Sequence, residues 1–195
     1  MDTIFSQTQY TLKRQGLAIG GKYQLFGAQD DKPLLYIEEK SKWIPPSQAF
    51  HVYADEKKTR EVLTLKTSES DSVEMDIIDA ESGQKIGGIG VTADDLAEVV
   101  KDSWEITDAD DKRLAKMFEK SAARSVMREM LDDALPQQLD ITVGESLVGE
   151  LRQKVKMIGY VLNIDFSMDS AHILDRRLGL AAVIYAAYHQ GSGLD

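Results

Sequence analysis

Residues 174–190 read LDRRLGLAAVIYAAYHQ, and from Leu178 to Tyr188 no residue is charged. The chain around this run is acidic, with a net charge of -10 over 195 residues. A bilayer-spanning helix needs roughly 17–25 apolar residues. This run has eleven, and Arg176 and Arg177 press directly on it. It therefore reads as a helix over about 172–189, apolar on every side and so buried in protein. Gly179, Ala181, Ala182, Ala186 and Ala187 are mixed with Val183, Ile184 and Tyr185. That mixture suits a tight tube in which backbone approaches backbone.

The sequence before it follows a different grammar. YQLFGAQDDKPLLYIEEK, VEMDIIDAESGQKIGGIGV and LDITVGESLVGELRQK each run from an alternating apolar stretch through an acidic or glycine-containing turn into a second stretch. Val73, Met75 and Ile77 alternate with Glu74 and Asp76, the period-two signature of a half-buried strand. Leu139, Ile141 and Val143 do the same, as do Tyr160, Leu162, Ile164 and Phe166. AFHVYAD and REVLTLKT form another pair. The pattern predicts roughly ten to twelve short strands at hairpin spacing. An antiparallel β-barrel wrapped around the C-terminal helix satisfies both halves, giving a mainly β (α+β) fold. No linker divides the chain, so residues 1–195 are expected to form one domain. One further amphipathic helix is expected at about 121–135, where Ala122, Val126, Met130 and Ala134 recur four apart and Pro136 ends the run.

Composition narrows the chemistry. There is no cysteine, which removes disulfides, thiolate nucleophiles and cysteine-based metal sites. The acidic total disfavours nucleic acid as a partner. The opening residues carry no secretory pattern, so the expectation is a cytoplasmic protein, peripheral to a membrane if it meets one. Gly88, Gly90 and Ala93, with Asp108 further on, fit a dinucleotide-binding spacing. Nothing downstream continues a β–α alternation, so these glycines read as relief of crowding in a strand. DADDK, from Asp108 to Lys112, resembles half a calcium loop, but Arg113 stands where an EF-hand needs glycine. It reads as an acidic hairpin turn. His51, His172 and His189 show no ligand spacing, and His189 is placed to cap the helix C-terminus. No catalytic set, metal or cofactor is expected.

The basic residues carry the remaining signal. Arg152, Lys154 and Lys156 share one strand face, and Lys13, Arg14 and Lys22 form a second group. Arg176 and Arg177 sit where the last helix begins, where a cation opposes the macrodipole, so they need acidic groups or free carbonyls at the barrel rim, or a phosphate to bind.

In order along the chain, VYADEKKTREVLTLKT, DIIDAESGQKIGGIGV, DSWEITDADDKRLAKMFEKSAARSVMREML, LDITVGESLVGELRQKV and LDRRLGLAAVIYAAYH resemble the tubby-like superfamily, in its scramblase-like and LURP-one-related branch. The resemblance runs roughly from Tyr10 to His189 and is most specific at Asp175-Arg176-Arg177-Leu178. It implies a closed barrel of about twelve strands around a hydrophobic C-terminal helix. It also implies lipid-related biology, since tubby domains bind phosphoinositide headgroups and scramblases are linked to phospholipid movement. The expected function is a non-enzymatic domain that recognises phospholipid headgroups or another small amphipathic ligand, with Arg152, Lys154, Lys156, Arg176 and Arg177 as candidate headgroup contacts. The alternative is a soluble protein-interaction or scaffold barrel with no lipid role, using the 121–135 helix or the acidic surface; Phe118 or Met127 exposed on a contiguous apolar patch would favour it.

Overall fold

The computed structural model describes residues 3–15, 22–43, 46–70, 73–91, 103–119, 136–154 and 160–191. A short 3-10 helix, Thr3–Ser6, precedes twelve antiparallel strands. The first six are β1 (Gln9–Arg14), β2 (Lys22–Gly27), β3 (Leu35–Trp43), β4 (Pro46–Tyr53), β5 (Glu61–Thr67) and β6 (Met75–Asp79). The others are β7 (Lys85–Val91), β8 (Ser103–Thr107), β9 (Arg113–Glu119), β10 (Gln138–Val143), β11 (Ser146–Gln153) and β12 (Val161–Asp165). Each pairs with its neighbours in sequence, and β1 pairs with β12, so the sheet closes. Closure leaves no strand edge unpaired. One helix, α1 (Arg176–Gly191), follows.

The alternation in the sequence becomes concentric layers. Leu162, Leu12, Leu25 and Leu35 lie side by side on β12, β1, β2 and β3, and all are fully buried. Trp104, Met117 and Ile141 continue the inner face on the other wall. In α1, Leu178, Leu180 to Ile184, Tyr185, Ala186 and Ala187 are each at most 3% exposed. Their neighbours come from separate strands. Phe50 of β4 stands edge-on to Tyr185 and Tyr188 at 6.5 and 5.0 Å, and the Tyr23 hydroxyl of β2 donates to the Ala187 carbonyl at 3.3 Å. Tyr188 donates to Glu39 at 3.2 Å, and the Tyr185 hydroxyl donates to Glu74. Burial and the Glu74 carboxylate push the Tyr185 pKa far up.

Two glycines explain the GGIGV stretch. A Cβ on Gly87 would lie 2.3 Å from the Thr107 carbonyl and 2.8 Å from a Leu178 methyl, so its missing side chain is the room α1 occupies. The neighbouring Gly88 faces the other way, where a Cβ would meet Val73 at 3.1 Å. The register shifts between Ile77 and Ile78, which leaves Ile86, beside Gly87, as the extra residue of a bulge. Gly88 and Gly90 are thus strand residues, and Asp108 caps a turn.

One rim of the barrel is built by aspartates. Asp55 accepts the backbone N–H groups of Thr59 and Arg60, Asp79 that of Ser82, and Asp108 those of Asp110 and Lys112. Asp165, Asp169 and Asp175 do the same for Ser167, Ile173 and Arg177. A carboxylate at the first position of a turn replaces the backbone partner that turn N–H groups lack. DADDK is such a turn. Among the described residues no group of three or more His, Cys, Asp or Glu side chains could hold a metal. The strand ends flanking the residues outside the description all lie at the opposite rim.

Two boundaries differ from expectation. The helix begins at Arg176 rather than 172, because His172 takes a left-handed φ of 51° and Asp175 supplies the cap. It runs to Gly191 rather than 189, so His189 lies within the last turn, its ring 4.4 Å from that of Tyr185. The helix expected at 121–135 lies outside the described residues. No described helix is long and apolar enough to cross a membrane.

Candidate functional site

Closure of β1 onto β12 joins two basic groups far apart in sequence. Burial alternates e-B-i-B-e-i along β1, so Lys13 faces out and Arg14 turns toward the inner row opposite Tyr23. Lys22 begins β2 on the outer face, and Arg152 and Lys154 are exposed at the same end of β11. The Lys154 N–H donates to the Val161 carbonyl at 2.9 Å, and Val161 pairs with Lys13. Lys154 and Lys13 are therefore two strands apart, ~10 Å at ordinary strand spacing. That exceeds the ~8 Å Debye length at physiological salt, so their fields add at low ionic strength and are largely screened at physiological salt.

The face has aromatic support. The Lys13 ammonium lies 3.9 Å from the centroid of Phe26, a cation–π contact on the outside of β2. Its acidic residues have partners of their own. Glu150 pairs with Arg152 at 2.8 Å, and Asp165 is engaged by Gln9 and Ser167. Glu38, opposite Lys22, is held by Lys58. Lys13, Lys22 and Lys154 make up the basic surface, with Arg152 largely balanced by its neighbour. Lys156 lies outside the described residues.

The two helix arginines go elsewhere. Arg176 is 3% exposed, its guanidinium stacked 4.0 Å from the Phe166 centroid and 3.6 Å from Asp169. None of its guanidinium nitrogens makes a hydrogen bond among the described residues, and burial draws its pKa down. Tyr10, edge-on to the same Phe166 ring, has its hydroxyl raised to about 12 by burial. Arg177 donates through Nε and Nη2 to Asp175 and through Nη1 to Asp79 at 2.7 Å. The candidate contacts thus do not form one constellation. Arg152 and Lys154 share the outer face with Lys13 and Lys22, while Arg176 and Arg177 tie the start of the helix to the aspartate rim.

That rim has a pH signature. Hydrogen bonding from Ser82, and then Arg177, holds the Asp79 carboxyl below the usual carboxylate range. Its stabilising contribution is present above the ordinary aspartate value of ~3.9 and is lost as pH falls through the lower folded value. Asp79→Asn should be less stable than wild type at pH 7 in urea titrations, and the gap should narrow at pH 3. A gap that stays constant would mean the carboxylate charge is irrelevant there.

The sequence pointed to the arginines but not to Asp79 and Asp169, which are 98 and 7 residues from the side chains they pair with. Asp175 alone was legible, adjacent to the pair and followed by an apolar helix. Comparison with protein-family models, characterised proteins and solved structures finds no match to this chain.

Proposed function

We propose that this protein is a non-enzymatic binding barrel, of the tubby-like kind its sequence resembles, whose outer basic face meets an anionic phospholipid surface. In this reading the C-terminal helix is the core of the barrel and holds its wall rigid. Binding belongs to β11, β12, β1 and β2. The observation that carries the reading is the convergence of Lys13, Lys22 and Lys154 on one face of a chain with net charge -10.

Each lysine near an anionic bilayer contributes about 1 kcal/mol. Three give ~3 kcal/mol, a weak and reversible peripheral association that salt abolishes. The test is flotation of the full chain with neutral vesicles and with vesicles containing phosphatidylserine or phosphoinositide, at low and physiological salt. Flotation only with anionic lipid, weakened by salt and lost in Lys13→Glu/Lys154→Glu, is the expected result. No flotation under any condition would overturn the lipid reading.

The protein-interaction reading keeps less support among the described residues. Phe118 is half-buried on the outer side of β9, and only Leu114 and Ile173 are exposed large apolar side chains. They do not make the contiguous patch that a docking surface shows. Met127 lies outside the described residues.

A further inference from the structure

One aromatic side chain points outward from the four strands of the basic face. β11 and β12 hold no aromatic residue, and Tyr10 of β1 and Tyr23 of β2 point inward and are buried. Leu25 and Gly27 are buried on the inner side as well, so Phe26 between them faces out, where it is half-buried. Thr11, Asn163 and Arg152 continue its row across β1, β12 and β11. Lys13 stands one row away, opposite Gln24, and its ammonium reaches diagonally to lie 3.9 Å from the ring centroid. The group stacked on the ring is thus an exposed lysine of the basic face itself.

In water the ammonium and its methylene stem shield part of that ring. An exposed cation–π contact is weak beside a charge-assisted bond to a phosphate oxygen, so an anionic partner draws the lysine away. The ring is then left bare next to the phosphate. A bilayer interface serves both groups at once, because its phosphates lie above a layer that takes up apolar side chains. A headgroup free in solution serves only the lysine. Salt separates the two contributions. The lysine fields are largely screened at physiological ionic strength, whereas apolar burial is not.

We propose that Phe26 is the apolar anchor of the basic face, uncovered when Lys13 turns from its ring to a lipid phosphate. This rests on the phospholipid reading of the face, and it makes the partner the bilayer interface rather than a soluble headgroup. Lys22 and Lys154 draw the wall toward the surface, and the ring adds the part of the attachment that salt does not screen.

The test is sedimentation of the full chain with phosphatidylserine vesicles over a range of salt, with glycerophosphoserine as the soluble headgroup. Phe26→Gln should bind the vesicles about fivefold more weakly, the effect of withdrawing a half-exposed ring from the interface, and the loss should persist as salt rises. Phe26→Trp should bind at least as tightly as wild type. Its emission, taken as the difference from wild type with Trp43 and Trp104, should move to the blue with vesicles and not with glycerophosphoserine. Position 26 faces out, so unaltered thermal melts will show that both variants fold. Wild type and Phe26→Gln sedimenting equally would overturn the anchor and leave the phospholipid reading standing. So would Phe26→Trp emission that bound vesicles leave unchanged. Wild-type protein that stays in solution with these vesicles at every salt would overturn both.

Discussion

Replacing Ala182 with aspartate should leave no folded protein. Ala182 is fully buried in the middle of α1, with Ala181, Val183 and Ile184 equally enclosed. A carboxylate there finds no partner and no water. The effective penalty for an unpaired buried ion is several kcal/mol, against about 5–15 kcal/mol for an entire domain. The added atoms must also displace well-packed neighbours. Soluble yield and the cooperativity of a thermal melt are the measurements. His189→Asp is the control, because it puts the same charge on the same helix at an exposed position and should cost about 1 kcal/mol or less through the helix dipole. Soluble, cooperatively melting A182D protein would mean that this side of the helix is not enclosed.

Truncation should be as damaging. Removing residues 174–195 withdraws Leu178, Leu180, Val183, Ile184 and Tyr185 from the interior. At ~1.5–3 kcal/mol per buried large side chain, these five amount to about 8–15 kcal/mol, comparable to the stability of the whole domain. The inner faces of opposite strands then have nothing between them, because Phe50, Tyr23 and Gly87 meet their neighbours through the helix. The expected product is aggregated or collapsed, binds a hydrophobic dye and lacks a sharp melt. A soluble, two-state truncation would show that the strands close on one another unaided, and would remove the helix from its central role in the fold.

Much of the barrel was legible because a strand in a closed barrel must alternate. Leu12, Leu25, Leu63, Leu65, Ile77, Leu139 and Ile141 are all inward, and each stands in a period-two run visible in the sequence. The hairpins announced themselves through their turns, since an aspartate followed by small or polar residues binds its own backbone whatever the rest of the chain does. The helix boundary was less legible. Ile173 and Leu174 are apolar residues just upstream of the helix, yet Asp169 binds the N–H groups of both and holds them out of it.

The candidate site divides along the same line. By itself the sequence determined which residues alternate, which stretch is too apolar to be exposed, and that arginines open the last helix. These are local properties, written in spacing and composition. Only the tertiary structure decided what those residues do. Pairing of β1 with β12 sets Lys13 two strands from Lys154, although 141 residues separate them, and no local pattern encodes that proximity. Burial separated Arg176 from Arg177, consecutive residues that local sequence treats alike. The helix turns each by about 100° from the last, so one guanidinium stacks on Phe166 inside while the other reaches Asp79 at the rim.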